Sequence, residues 1–175
     1  NYGLGSVNQN LPGYVVLNNK TGIPHGGKSI FGSGFLPATT GASFFNLDQD
    51  EVVSRVKPSR PLKEQRASLE FLEQLDGAFA KRSAAEGEVQ SAIKNYETAF
   101  RMQSAVPELM NLDKEPAYLK REYGFEHKDP LVAGYGQQCM VARRLVEKGV
   151  RFVELSCSNF KGDGQRPNPW DQHGN

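Results

Sequence analysis

Apolar residues recur at spacings of three and four through the middle of the chain and gather into short unbroken runs towards its two ends. The first run, YVVL from Tyr14 to Leu17, is launched by Pro12-Gly13 and halted by Asn18-Asn19, a pattern that predicts a strand. Leu69, Leu72, Leu75 and Phe79 then put an apolar stripe on a predicted helix, slightly weakened by Gly77. A second helix is expected after SAAEGE, with Val89, Ile93, Tyr96 and Phe100 as its buried face and Pro107 as its end. DKEPAYLKREYG reads as a short third helix, with Pro116 near its first turn and Gly124 beyond its last. The apolar pattern does not persist through successive heptads, so no coiled coil is expected.

The last part of the chain is the most regular. DPLVAGYGQQCMVARRLVEKG offers Asp129 as N-cap and Pro130 as first helical residue, with Leu131, Tyr135, Cys139, Ala142 and Leu145 or Val146 along one face. Gly149 stands where a left-handed cap would stop that helix. VRFVELSC follows at once and predicts a buried strand, so helix, glycine and strand make half of a parallel α/β unit. These elements predict an α/β protein organised as a single domain in three parts. Residues 1–60 carry a strand and long loops, 61–127 a helical layer or insertion, and 128–175 the helix–strand unit with the loop after it. KTGIPHGG and GSGFLPATTGASFF lack periodicity, and so long an irregular stretch is read either as functional or as an extended surface loop.

Composition narrows the possible partners. A chain of 175 residues can bury a real core, and 38% apolar residues with 18 glycines suits a loop-rich α/β protein. The charges, 21 basic against 20 acidic, provide no field to recruit nucleic acid or an acidic membrane. No apolar run approaches the roughly 20 residues that a membrane helix needs. Cys139 and Cys157 show no paired spacing and read as buried thiols, with a bridge or a ligand role as the alternatives. Lys57, Arg60, Lys63 and Arg66, interspersed with prolines, read as a solvated linker. The chain opens without Met and closes on NPWDQHGN, which reads as a segment of a longer protein.

That closing stretch carries the candidate chemistry. Asp171 and His173 stand two apart, so an extended backbone points both side chains the same way. A carboxylate oxygen with an imidazole nitrogen suits zinc, manganese or iron, and Trp170 could wall such a site. Zinc needs at least three protein ligands, so the pair makes at most part of a site, against a solvated loop or a structural Asp–His hydrogen bond. In open parallel sheets, functional groups gather beyond the carboxyl ends of strands, and this loop follows the last predicted strand. His25 in IPHGGK, beside Lys28, is either a ligand or anion binder or part of a surface turn, and His127 is expected in an exposed linker. Ser33 and Gly34 in GSGFLP are substrate-proximal candidates, with a tight structural turn as the alternative. No serine has the signature of a nucleophile elbow.

Taken together, YGLGSVNQNLPGYVVLNN, GSGFLP, YETAFRMQSAVPELMNLDKEP, ARRLVEKGVRFVEL and WDQHGN resemble the sulfatase-like family catalogued as domain of unknown function 1501. The resemblance runs in order along the chain. It implies a partial α/β/α sandwich of the alkaline phosphatase-like superfamily, with Asp171 and His173 as one half of a metal centre. The implied cofactor is a divalent metal, zinc first, with manganese, iron or calcium as alternatives. The implied activity is hydrolysis of sulfate or phosphate esters on a small molecule or polysaccharide. The nucleophile and the remaining ligands would lie outside this stretch, and the segment alone is expected to be inactive and poorly behaved. A twin-arginine signal would export the whole protein to the periplasm or beyond. The alternative is a non-catalytic relative that binds a surface glycan or a protein.

Overall fold

The computed structural model of the protein describes residues 2–18, 27–80, 82 and 86–156. The run predicted to be a strand forms β1, Tyr14–Asn18, at the centre of a three-stranded sheet of order β2-β1-β3. Its neighbours are β2, Ser43–Asn46, and β3, Phe152–Leu155, both parallel to it. A central parallel strand must bury both faces, and β1 does so with consecutive apolar residues: Val15, Val16 and Leu17 are fully buried. Among the described residues four α-helices accompany the sheet: α1, Leu62–Ala80; α2, Glu86–Met110; α3, Ala117–Glu122; and α4, Pro130–Glu147. The fold is mixed α/β, as the sequence predicts.

Alternation along the strands divides the sheet into two faces. Val15, Leu17 and Phe45 point to the side where Met102, Val106 and Leu109 of α2 meet Val141 and Leu145 of α4, and this is the core. Val16 and Phe44, paired in register, point to the other side, where Phe31 meets Phe44 edge-on with ring centroids 5.3 Å apart. The ends of α4 match expectation. Asp129 Oδ1 accepts from the Leu131 N–H at 2.9 Å, and exposed His127 accepts from the Asp129 N–H through Nδ1 at 3.1 Å. At the other end Gly149, at φ 87°, lets its N–H reach the Val146 carbonyl while the Val150 N–H reaches that of Leu145. These two bonds cap the helix and turn the chain into β3.

Several expectations need correction. The strand β2 lies in a stretch read as irregular, because a four-residue strand is too short to display alternation. Pro107 does not end the second helix, which continues to Met110. An interior proline costs about 3 kcal/mol, and burial of Met102, Val106 and Leu109 offsets it. That burial also moves the buried face of α2 towards its carboxyl end, leaving Tyr96 half exposed. On α1 the predicted stripe is split: Leu69 faces the groove against Ile93 of α2, while Leu75 and Phe79 are exposed, as is Phe71.

The buried side of α4 is also displaced from the predicted one. Gly134, Gln138, Val141 and Leu145 form it, whereas Leu131, Tyr135 and Val146 are exposed. A glycine and a glutamine at two of its positions hide this stripe from a count of apolar residues. The last predicted strand is parallel as expected but not buried throughout. Among the described residues β3 is an edge strand, and its Phe152 and Glu154 are exposed while Val153 and Leu155 pack against the core.

An ion-pair cluster ties the end of α2 and the start of α3 to α4. Arg143 Nη2 donates to Glu115 Oε2 at 2.6 Å, and Arg144 Nη1 donates to Glu115 Oε1 at 2.7 Å. Arg144 also donates to the Glu108 carbonyl at 2.9 Å, and Lys148 pairs with the Glu108 carboxylate at 3.0 Å. The hydrogen bond from Arg143, and behind it that from Arg144, holds the Glu115 carboxyl below the usual carboxylate range. Glu115→Gln is therefore expected to lower stability at neutral pH by about 2 kcal/mol, the scale of a charge-assisted hydrogen bond. Because the folded-state pKa is depressed, this contribution is complete above the unfolded value of about 4.3 and fades as pH falls through the folded value. Denaturant titrations of both proteins from pH 7 to pH 3 should thus converge at the acidic end.

Candidate functional site at the carboxyl edge of the sheet

Parallel pairing brings the carboxyl ends of all three strands to one edge. There Asn18 of β1 and Asn46 of β2 stand side by side in register, with Asn18 Nδ2 donating to Asn46 Oδ1 at 3.5 Å. The backbone locks the same edge. The Leu47 N–H donates to the Asn18 carbonyl at 2.8 Å, and the Ser156 N–H donates to the Leu17 carbonyl at 2.9 Å. The Asn46 N–H is taken by the Val52 carbonyl at 2.8 Å, which folds the chain after β2 back over its own end. Two half-buried amides, each with donors and acceptors, give this edge the polar lining that a ligand site above a parallel sheet uses.

The expected metal ligands Asp171 and His173 lie outside the described residues, as do Trp170, His25 and Cys157. In sequence Asp171 and His173 follow Ser156, the residue at which β3 leaves the sheet on this edge. Ser33 and Gly34 are described and lie elsewhere. The Leu36 N–H donates to the Ser33 carbonyl at 3.0 Å across a tight turn, in which Gly34 has φ 60°. The turn packs beside Gly41, just ahead of the amino end of β2. The structure therefore does not bring Ser33 and Gly34 to the Asn18–Asn46 edge. Lys28 stands over the Phe44 ring, 5.5 Å from its centroid, on the face away from the core.

Two further groups show perturbed acidity. Tyr14, at the amino end of β1, is pushed up to about 12 by burial and by the Glu154 carboxylate, which its hydroxyl meets at 2.7 Å. Being on the opposite edge from Asn18, it forms no part of the candidate site. Cys139 is a half-buried free thiol, and burial pushes its pKa up. Among the described residues no three His, Cys, Asp or Glu side chains come together as a metal-binding group. Among them, too, no helix is long and apolar enough to cross a membrane.

The Asn18–Asn46 pair escapes sequence reading because Asn18 looks like a simple strand terminator. The available signal is that both SFFN and YVVLN end an apolar run on asparagine. Only strand register shows that the two asparagines are neighbours.

The described residues form a mixed α/β fold with parallel strands, an architecture in which ligand sites generally lie beyond the carboxyl ends of the strands. Along residues 1–175 it matches the family described as "Protein of unknown function (DUF1501)", and it belongs to that family. No curated protein and no solved structure matches the chain.

Proposed function

We propose that this chain is part of a metal-dependent hydrolase of sulfate or phosphate esters, in an alkaline phosphatase-like α/β/α arrangement. The observation that supports the reading most is the sheet itself. Its three strands are parallel, and the last of them hands the chain on at the carboxyl edge, from which the sequence proceeds to Asp171 and His173. A carboxylate and an imidazole are ordinary ligands for zinc, and equally for manganese or iron. When bound, the metal would neutralise charge on the ester oxygens and sharpen a nucleophile. The Asn18 and Asn46 amides would offer hydrogen bonds to ester oxygens on the same edge. In this reading the whole protein acts in the periplasm or outside the cell.

The test is metal analysis of the full-length protein with Asp171→Ala and His173→Ala. Both variants should lose bound metal, and hydrolysis of 4-nitrophenyl sulfate or 4-nitrophenyl phosphate should fall by about 100-fold or more. Thermal unfolding of the chelator-treated proteins should be unchanged, since these residues would bind metal rather than fill the core. Metal content equal to that of the parent in both variants would overturn the assignment. A protein that holds metal but turns over no ester would move the reading to a surface glycan- or protein-binding relative.

A further inference from the structure

A cleft of about 570 Å³ opens on the helical side of the sheet, beyond the end of β2. Its size falls within the range of small-molecule sites, about 300–1,000 Å³. Leu47 and Val141 form part of its apolar lining, and the last turn of α2 supplies Pro107 and Met110. Leu112 and Phe125 complete its apolar lining. The polar groups on it are few: Asn111 and Asp113, Gln137 from α4, and Lys120 from α3.

The cap of α3 sets the key pair. The Gly124 N–H donates to the Arg121 carbonyl at 2.8 Å, and the Phe125 N–H donates to that of Lys120 at 3.0 Å. This doubling-back brings the residue after the capping glycine over the last turn, so Phe125 and Lys120 share one wall of the cleft. Lys120 is half-buried and, among the described residues, makes no ion pair, whereas Arg143, Arg144 and Lys148 nearby are all paired. Asp113, the acidic residue of the lining, is exposed. Thus the cleft carries a lysine without an ion pair on the same lining as an aromatic residue, while its one acidic residue is exposed.

We propose that this cleft binds a small organic anion: an aromatic body on the apolar floor, with a sulfonate, sulfate or carboxylate head on the Lys120 ammonium. Asn111 and Gln137 supply side-chain amides for the remaining head-group oxygens, and Asp113 at the rim disfavours a second negative charge on the ligand. The ordinary alternative is that Lys120 merely lays its methylenes over apolar surface. The proposal is independent of the metal reading, because it uses neither Asp171 nor His173.

The probe is 2-naphthalenesulfonate, whose carbon–sulfur bond an ester hydrolase does not cut, titrated by calorimetry into the full-length protein in excess chelator. Neutral 2-naphthol serves as the comparison. Saturable binding is expected, weakened at least about 10-fold in Lys120→Met, the scale of one charge-assisted contact. Naphthol should bind Lys120→Met and the parent alike. Lys120→Arg should restore most of the affinity, and Gln137→Trp, an exposed substitution that fills the mouth, should abolish binding. Absence of saturable binding to the parent would overturn the proposal. So would unchanged sulfonate affinity in Lys120→Met or in Gln137→Trp, since the aromatic body would then rest elsewhere.

Discussion

Gly136→Ala is expected to destabilise the protein by at least about 3 kcal/mol, at or beyond the upper end of the usual overpacking range. Gly136 is buried in α4 at the point where that helix crosses the end of α3, and a Cβ there would collide with the Tyr123 carbonyl oxygen. The obstacle is backbone, so no rotamer change relieves it. Nor is Tyr123 free to retreat, because it is the C-cap of α3 and the following Gly124 and Phe125 are bonded back into that helix. The two helices must therefore separate, which strains the Glu115 bridge to Arg143 and Arg144 and widens the cleft beside Lys120. The denaturant midpoint should fall sharply, and naphthalenesulfonate affinity should fall with it. Gly77→Ala provides the opposite sign. An added Cβ in α1 meets nothing within 4 Å, so it should stabilise by up to about 1 kcal/mol through helix propensity. If both alanines had the same small effect, the close α3–α4 crossing would be wrong.

Phe45→Ala should cost about 3–5 kcal/mol, the range for removing a buried aromatic ring. Phe45 is fully buried and pairs in register with Leu17 of β1, on the face that meets α2 and α4. Its strand is only four residues long, and Phe45 is its one fully buried side chain. Loss of the anchor should loosen β2 as a unit, and with it the hydrogen bond from Leu47 N–H to the Asn18 carbonyl. Amide exchange at Leu47 should then accelerate well beyond any change at Val150, which caps α4 on the other side of β1. Phe44→Ala, on the half-covered face against Phe31, should cost less. Equal losses for the two phenylalanines would show that the core does not lie where Val15, Leu17 and Phe45 point.

What could be read in advance was what local chemistry enforces. Pro12-Gly13 and Asn18 bracket β1, and the apolar run between them marks it as a strand. Asp129, Pro130 and Gly149 cap α4 through backbone groups within a few residues of themselves, so their meaning survives without knowledge of neighbours. The Asp171-x-His173 pair is a pattern of the same local kind, and it lies outside the described residues.

Misreadings arise where distant partners choose among local options. Pro107 is a helix breaker in isolation, but the buried residues around it keep α2 helical to Met110. Apolar spacing marks a stripe on α1, yet the neighbouring helix takes Leu69 and leaves Leu75 and Phe79 outside. Gln138 and Gly134 belong to the buried side of α4 although neither is apolar. The short strand β2 has no signal of its own, and pairing with β1 creates both it and the Asn18–Asn46 edge. Caps and strand boundaries are settled over a few residues by hydrogen bonds and sterics, which composition encodes directly. Which face turns inward, and which side chains 28 residues apart become neighbours, depends on burial summed over several elements, and that sum exists only once they have packed.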